Sequence, residues 1–398
     1  MRILFHDGLP DPDVLPFDCA ERKGIGHPDT LANLIADAYS RAYSAHCLDA
    51  FGTIPNHWVD KVALVGAASN VSFGSFEVLK PVACHLIGKM TPRVGPTAIP
   101  LGEIFERVVR DVLGQALGDT EIWPHLTTTT YNTAGTATDH DSNFYTPCDP
   151  EDLRRVLSAE TVCNDTVLCT GTSGPGRAGR LAIWLERRIA EMRLPQVGSD
   201  VKVMVVRDGE AFEVTAAVPV HPEAVRSWRE YAELIRDVRA ELAAELRDSH
   251  RATLRINTKD GPNRAYLAPF GTSLGKGDCG AVGRGNRGHG VIEPLRASSG
   301  DAPAGKNPVH HGGKIYADLA NRAAQEIGSK TGRPAEVTIA ARNGEPLHDP
   351  AFVLISLPEG DDRALAENIV RETLTGASDV AERFLAADEI RKFREATG

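Results

Sequence analysis

No uninterrupted apolar run in this chain approaches the length a helix needs to cross a bilayer. The first twenty residues carry Asp7, Asp11, Asp13 and Asp18 where an export leader would need an apolar centre. These two lacks predict a soluble, unexported, cytoplasmic protein. The seven cysteines, at positions 19, 47, 84, 148, 163, 169 and 279, are odd in number and share no repeated spacing, so neither a disulfide framework nor a zinc pattern is read from them. A basic excess is missing as well. Lys and Arg total 44 against 54 Asp and Glu, a formal charge of -10. Nucleic acid is therefore not an expected partner, because non-specific binding draws its affinity from neutralising phosphates.

What is present is a globular composition, 42% apolar over 398 residues, which is more than one ordinary core holds. Leu31, Leu34, Ile35, Ala38, Tyr39, Ala42 and Tyr43 recur at helical spacing, with Asp29 or Thr30 placed to cap the start. Trp58 to Ser69 reads as a strand, Ile104 to Leu117 as a helix, and Leu126 to Pro147 as an irregular connection or active-site loop. Further on, Val201 to Arg207, the turn Asp208-Gly209 and Ala211 to Val220 make a hairpin, followed by a helix from Glu223 to Arg247 and a strand from Thr253 to Asn257. The last third offers helices at Ile315 to Ile327 and Arg363 to Leu374 around strands at Glu336 to Ala341 and Phe352 to Leu357. Strand pairs followed by a helix thus recur without any obvious sequence repeat. The fold class expected is α+β, three similar layers of antiparallel sheet and helices rather than a doubly wound parallel sheet. The units expected are an N-terminal domain 1–147, a central domain 148–268 and a C-terminal domain 269–398.

Two segments carry chemistry. The run from Gly277 to Gly290, followed by Ala304 to Lys314, concentrates glycine with Arg284, Arg287, Lys306 and Lys314 on an otherwise acidic chain. Glycines let backbone N–H groups approach an anion closely, and the cations supply countercharge, so the segment reads as a polyphosphate cradle rather than an exposed loop. The second is Glu21-Arg-Lys-Gly-Ile-Gly-His-Pro-Asp29, directly before the first helix. There the free N–H groups and the helix dipole favour an anion, His27 is placed to donate to a leaving oxygen, and Asp29 to bind a metal bridging phosphates. Capping alone would explain Asp29. The pairing with a distant cationic segment favours chemistry on a polyphosphate.

Gly26-His-Pro-Asp29, Asn164-Asp-Thr166, Asp200-Val-Lys202, Gly277-Asp-Cys-Gly280, Gly283-Arg-Gly-Asn-Arg287 and Gly305-Lys-Asn-Pro308 resemble, in order, the motifs of S-adenosylmethionine synthetases, most closely the archaeal branch. The resemblance runs over nearly the whole chain. It implies three similar α+β domains about a pseudo-threefold axis and a homodimer with active sites between subunits. It also implies attack of methionine sulfur on C5′ of ATP, with tripolyphosphate expelled and then hydrolysed. By the same resemblance His27 stabilises the departing oxygen and Asp29 binds magnesium. Lys202, Arg284, Lys306 and Lys314 hold the triphosphate, while Glu21, Asp165, Asp200 and Asp278 approach the amino acid or the nucleoside. Arg287 belongs to the same segment, with triphosphate or a partner-subunit carboxylate open to it. Whether potassium is also required stays open. A zinc reading of Cys279, His310 and His311 lacks a fourth ligand at a recognised spacing.

The sequence also departs from that family. Where Gly-Gln-Gly-Ser is typical it has Tyr131 to Asp139 without glutamine, where the archaeal run is His-His-Asn it has Asn56-His-Trp58, and where Phe-Gly-Gly-Gly is usual it has Phe73-Gly-Ser-Phe76. Val167-Leu-Cys169 replaces Ser-Phe-Gly. All lie in the first half, toward the amino acid and the nucleoside. They motivate alternatives to ordinary synthesis: a homologue using another nucleophile or a methionine analogue, a hydrolase of nucleoside triphosphate or tripolyphosphate, or a non-catalytic nucleotide binder. A dinucleotide-binding dehydrogenase is set aside, since the glycine segment lacks the strand-turn-helix frame.

Overall fold

The computed structural model describes residues 1–118, 121–135, 143–158, 162–249 and 251–395. In chain order the first part holds β1 (Arg2–Asp7), β2 (Phe17–Lys23), α1 (Pro28–Phe51), β3 (His57–Val65), a small hairpin β4 (Ala68–Ser72) and β5 (Ser75–Lys80), β6 (Val82–Met90), the two-residue strands β7 (Arg93–Val94) and β8 (Thr97–Ala98), α2 (Leu101–Leu117) and β9 (Leu126–Asn132). The middle holds α3 (Pro150–Ser158), β10 (Val167–Thr172), α4 (Arg177–Glu191), β11 (Lys202–Asp208), β12 (Ala211–Ala217), α5 (Trp228–Ser249) and β13 (Arg251–Ile256). The last part holds β14 (Gly280–Ala281), α6 (Gly312–Thr331), β15 (Glu336–Ala341), β16 (Phe352–Leu357), α7 (Arg363–Thr375), α8 (Val380–Ala386) and α9 (Glu389–Glu395).

Three four-stranded sheets, ordered β1-β16-β15-β10, β13-β12-β11-β2 and β9-β6-β3-β14, share one plan. An antiparallel pair forms the middle, one flanking strand runs antiparallel to it and the other parallel. The α+β class and its repetition are as expected; the parallel edge strand in each sheet is the addition. Each of α1, α4 and α6 leads into the central pair of its own sheet, β3-β6, β11-β12 and β15-β16. The strand just before each helix goes to a different sheet: β2 joins β11, β10 joins β15 and β14 joins β3. Each sheet therefore draws strands from more than one of the ranges 1–147, 148–268 and 269–398, while each helix and central strand pair lies inside one range.

Each sheet has its own core. Leu31, Ile35, Tyr39 and Tyr43 of α1 pack on Val59, Val62 and Leu86; Leu181, Ile183 and Leu185 of α4 share a core with Val203 and Val205; Ile315, Leu319 and Ile327 of α6 share one with Val337, Val353 and Ile355. Strict alternation in β11 buries Val203 and Val205 and leaves Met204 and Val206 exposed. Exposed Leu168 on β10 and Tyr131 on β9 repeat the pattern, so apolar side chains stand on sheet positions that no helix covers.

Sequence expectation and structure part at three places. The cap of α1 is His27, with Pro28 at the first helical position, not Asp29 or Thr30. The stretch expected to be irregular begins with β9, which pairs parallel with β6; Thr136 to Asp139 lie outside the described residues. The helix expected from Glu223 begins at Trp228, since Pro222 to Ala224 form a separate 3-10 turn.

Candidate active site

At the start of α1 the imidazole of His27 folds back, and its Nδ1 accepts from the Asp29 backbone N–H at 3.1 Å. With Nδ1 an acceptor, the neutral ring carries its proton on Nε2. Burial first, then the Lys23 ammonium, pushes the His27 pKa down to about 4, so the ring stays neutral at ordinary pH. The result is a fixed N–H donor at a helix N-terminus.

Asp29, 6% exposed, uses both carboxylate oxygens. Oδ2 accepts from Lys23 Nζ at 2.8 Å and Oδ1 from the Ala281 backbone N–H at 3.0 Å. Burial pushes its carboxyl up, but the Lys23 and Ala281 bonds outweigh it and hold the pKa below the usual range. Lys23 also donates to the Arg284 carbonyl at 2.6 Å, while the exposed Arg284 guanidinium has no partner among the described residues. Register places Lys23 opposite Lys202 and Glu21 opposite Met204. Glu21 stands between the two lysines, 3.1 Å from Lys202 Nζ and 3.7 Å from Lys23 Nζ. His27, Asp29, Lys202 and Glu21 thus lie together around Lys23, and Arg284 joins them through its backbone carbonyl. Lys23 is the member that sequence reasoning passed over: it stood in the quoted motif, yet only the pairing of β2 with β11 shows where it points.

Lys306 and Lys314 lie in a second group, further along α1. Lys314 donates to Asp37 Oδ1 at 2.6 Å and lies over the Phe384 ring, 4.2 Å from its centroid. Asp37 Oδ1 also accepts from the Gly305 N–H at 2.8 Å. Lys306 lies 3.3 Å from Asp60 Oδ1 and 4.6 Å from the centre of the Trp58 ring. Burial lowers its pKa, with Asp60 opposing. His311 caps α6 as His27 caps α1, accepting from Gly313 N at 3.0 Å through Nδ1. Its Nε2 is 3.9 Å from Asp165, whose carboxyl burial pushes upward. From His27 to Asp37 the helix rises by roughly 15 Å, so one chain presents two cationic groups rather than one. Asp37 and Asp60 are further members that carried no motif signal, and Trp58 had entered only as a departure from the archaeal His-His-Asn run.

Other predicted residues stand differently. Asp200 is 2% exposed, accepting from the Ser273 backbone N–H at 2.7 Å and from the Ser273 hydroxyl. Burial raises its pKa to about 7 despite those bonds. It fixes the turn beneath Gly26, where Thr272 donates to the Gly26 carbonyl, instead of opening to a ligand. Arg287 turns back on its own loop and donates to the Gly283 carbonyl at 2.7 Å. Asp278 is exposed, next to the turn that Asp200 holds. Buried Arg22 donates to the Gly290 carbonyl at 2.6 Å and to Glu186, which ties the glycine-rich loop to β2 and α4. His310 and His311 are buried and neutral, their pKa values lowered to about 3 by burial. Among the described residues no cluster of three acids, histidines or cysteines is arranged to hold a metal, and Cys279 is exposed and free. The donors gathered at α1 are cations and a neutral imidazole, without a carboxylate free to act as a base on a nucleophile. Such a set stabilises a departing polyanion.

A family model described as S-adenosylmethionine synthetase (AdoMet synthetase) matches residues 13–388. The S-adenosylmethionine synthase of Aeropyrum pernix is 33% identical over 97% of this chain and 98% of its own, and that of Haloarcula marismortui is 33% identical over 95% of each. Among solved structures, an unusual S-adenosylmethionine synthetase from Campylobacter jejuni superposes with a TM-score of 0.58, covering 96% of this chain and 100% of its own at 14% identity, a likeness of fold. No helix among the described residues is long and apolar enough to cross a membrane.

Proposed function

The chain belongs to the S-adenosylmethionine synthetase family, and from that premise we propose that it makes S-adenosylmethionine from ATP and L-methionine. The thioether sulfur attacks C5′ of ATP, the C5′–O bond breaks, and intact tripolyphosphate leaves, to be hydrolysed to pyrophosphate and phosphate. One observation carries the reading. His27 is locked by its Nδ1 bond, which leaves Nε2–H as its donor, and the Lys23 and Lys202 ammoniums lie close enough to lower the ring's pKa. A neutral thioether needs no base, so the barrier falls through positioning and through stabilising charge on the leaving oxygens, and this donor set does the second.

In this reading His27 donates to the oxygen that leaves C5′, and Lys202 and Arg284 hold the phosphates at that end. Lys306 and Lys314 hold polyphosphate from the second group, and Asp165 and Asp278 meet the amino acid or nucleoside. Asp200 and Arg287 act as supports of the loop. The family is metal-dependent; magnesium is the metal proposed, with any potassium requirement tested by omission. Asp29 suits a single ligand to magnesium: its Oδ2 already faces a cation, Lys23 Nζ, and magnesium takes most remaining ligands from phosphates and water. Bound there, magnesium would neutralise phosphate oxygens. A homodimer with shared sites is part of the proposal, and the apolar residues exposed on the sheets, such as Met204, Val206 and Leu168, are the surface offered for that contact.

Purified protein incubated with ATP, magnesium and methionine is expected to yield S-adenosylmethionine with pyrophosphate and phosphate. Phosphate release that ignores methionine would instead mark a hydrolase. Lys306→Ala is expected to lower the rate of the polyphosphate steps by roughly a hundredfold or more, the usual cost of losing one charge-stabilising donor. Unchanged turnover would remove the cradle.

A further inference from the structure

Lys306 is 7% exposed, and among the described residues the carboxylate bonded to it is that of Asp60, itself 46% exposed. Such a pair contributes little to holding a long side chain in one place. The stronger constraint is the ring of Trp58, with the ammonium 4.6 Å from its centroid. Trp58 is fixed in turn by edge-to-face packing on His311, 4.9 Å between centroids, and His311 is held by its cap bond to α6. The indole Nε1 and the His311 Nε2 are buried without hydrogen-bond partners among the described residues. This is unusual for native polar atoms. Trp58 also stands where the archaeal run ends in Asn, so it is a feature of this chain rather than of the motif that carries Lys306.

We propose that Trp58 is a positioning residue for Lys306, its ring face holding the ammonium in the place where polyphosphate is bound. The proposal rests on the reading of Lys306 as a polyphosphate ligand. A cation over a desolvated indole is stabilised enough to change an affinity roughly tenfold or more. Without the ring, Lys306 would be held only by its contact with half-exposed Asp60 and would have to be reordered by each incoming ligand.

Inorganic tripolyphosphate is the probe, with its Kd measured calorimetrically for the full-length protein and for Trp58→Leu, Trp58→Phe, Lys306→Ala and Trp58→Leu/Lys306→Ala. Trp58→Leu is expected to bind roughly tenfold more weakly, with Trp58→Phe restoring most of the affinity and the KM for methionine unchanged. In the double variant the Trp58 substitution should add nothing to the loss from Lys306→Ala, because a residue that acts through another has no effect once that other is gone. Independent, additive losses would overturn the proposal, as would Trp58→Leu binding like the parent while Lys306→Ala does not. Normal binding by Lys306→Ala would remove the underlying cradle reading and the proposal with it. Trp58→Met, which keeps bulk against His311 without a ring face for the ammonium, supplies the same cycle with Lys306→Ala should the leucine variant fold poorly.

Discussion

His27 does two jobs that a substitution can separate. Its Nδ1 caps α1, which leaves Nε2–H as a donor on a ring that has Lys23 and Lys202 nearby. Asparagine is a good N-cap, so His27→Asn should keep the helix start while withdrawing the Nε2 donor. The expected result is a kcat lower by roughly a hundred- to a thousandfold, with a melting temperature close to the parent's. A capping role alone would leave kcat intact. Because the pKa sits at about 4, below the ordinary imidazole value, protonation of His27 begins only as pH falls toward 4. The His27-dependent part of the rate should therefore stay flat from pH 5.5 to 8, and a limb near 6.5 that vanishes in His27→Asn would count against the neutral donor. The place of His27 and Asp29 at a helix start was legible in the sequence because both precede a strong helical periodicity. The identity of the cap was not, since the preferred cap residues drew the expectation to Asp29 and Thr30 while the cue from Pro28 pointed one residue earlier. Lys23 and Asp200 show the opposite limit. One became a site residue and the other a buried support through partners far away in sequence, Arg284 and Ser273.

Among the elements, the glycine-rich loop depends on closeness to α1. A Cβ on Gly280 would lie 2.1 Å from the Pro28 carbonyl oxygen and 2.2 Å from its carbon, so β14 and the start of α1 touch where only glycine fits. Gly280→Ala is expected to cost roughly 1–3 kcal/mol in urea unfolding, the usual range for overpacking, and to lower kcat together with stability because Ala281 also bonds Asp29. Gly300→Ala, at a site with nothing within 4 Å, should do neither. The loop's cationic character was readable from composition, but its division was not. Arg284 stays with the α1 group, Arg287 folds onto Gly283, and Lys306 and Lys314 join Asp60 and Asp37. Strands whose alternation is clean, such as β11, β15 and β16, were found from pattern. β2 was not, because its buried positions include Asp18 and Arg22, which are satisfied by Ala178 N–H and by Glu186.

Taken whole, the molecule covers each sheet on one side, leaving Phe17, Met204, Val206 and Leu168 exposed on strands. An isologous contact uses each such residue twice, so a charge placed there acts twice. Met204→Glu is expected to weaken self-association by roughly tenfold or more, read by sedimentation at micromolar concentration, and activity should fall on dilution sooner than in the parent. A Met204→Glu protein that sediments like the parent would point the interface elsewhere. The threefold α+β plan was legible from recurring strand pairs and helices. The edge strands were not, because nothing local to β2, β10 or β14 says that its partners lie in another unit.

That exchange of edge strands has a consequence for how the chain is made. β1 pairs with β16, which lies some way further along the chain, so the register partner of Arg2 is Phe352. Each sheet needs a strand from a distant stretch: β2 waits for β11, β3 for β14, and β1 for β16. Nascent chains should thus gain protease protection in stages, the sheet of β2 with β11, β12 and β13 once β13 has been made and the sheet of β1 only once β16 has been made, with the long separation of β1 and β16 making that last step slow.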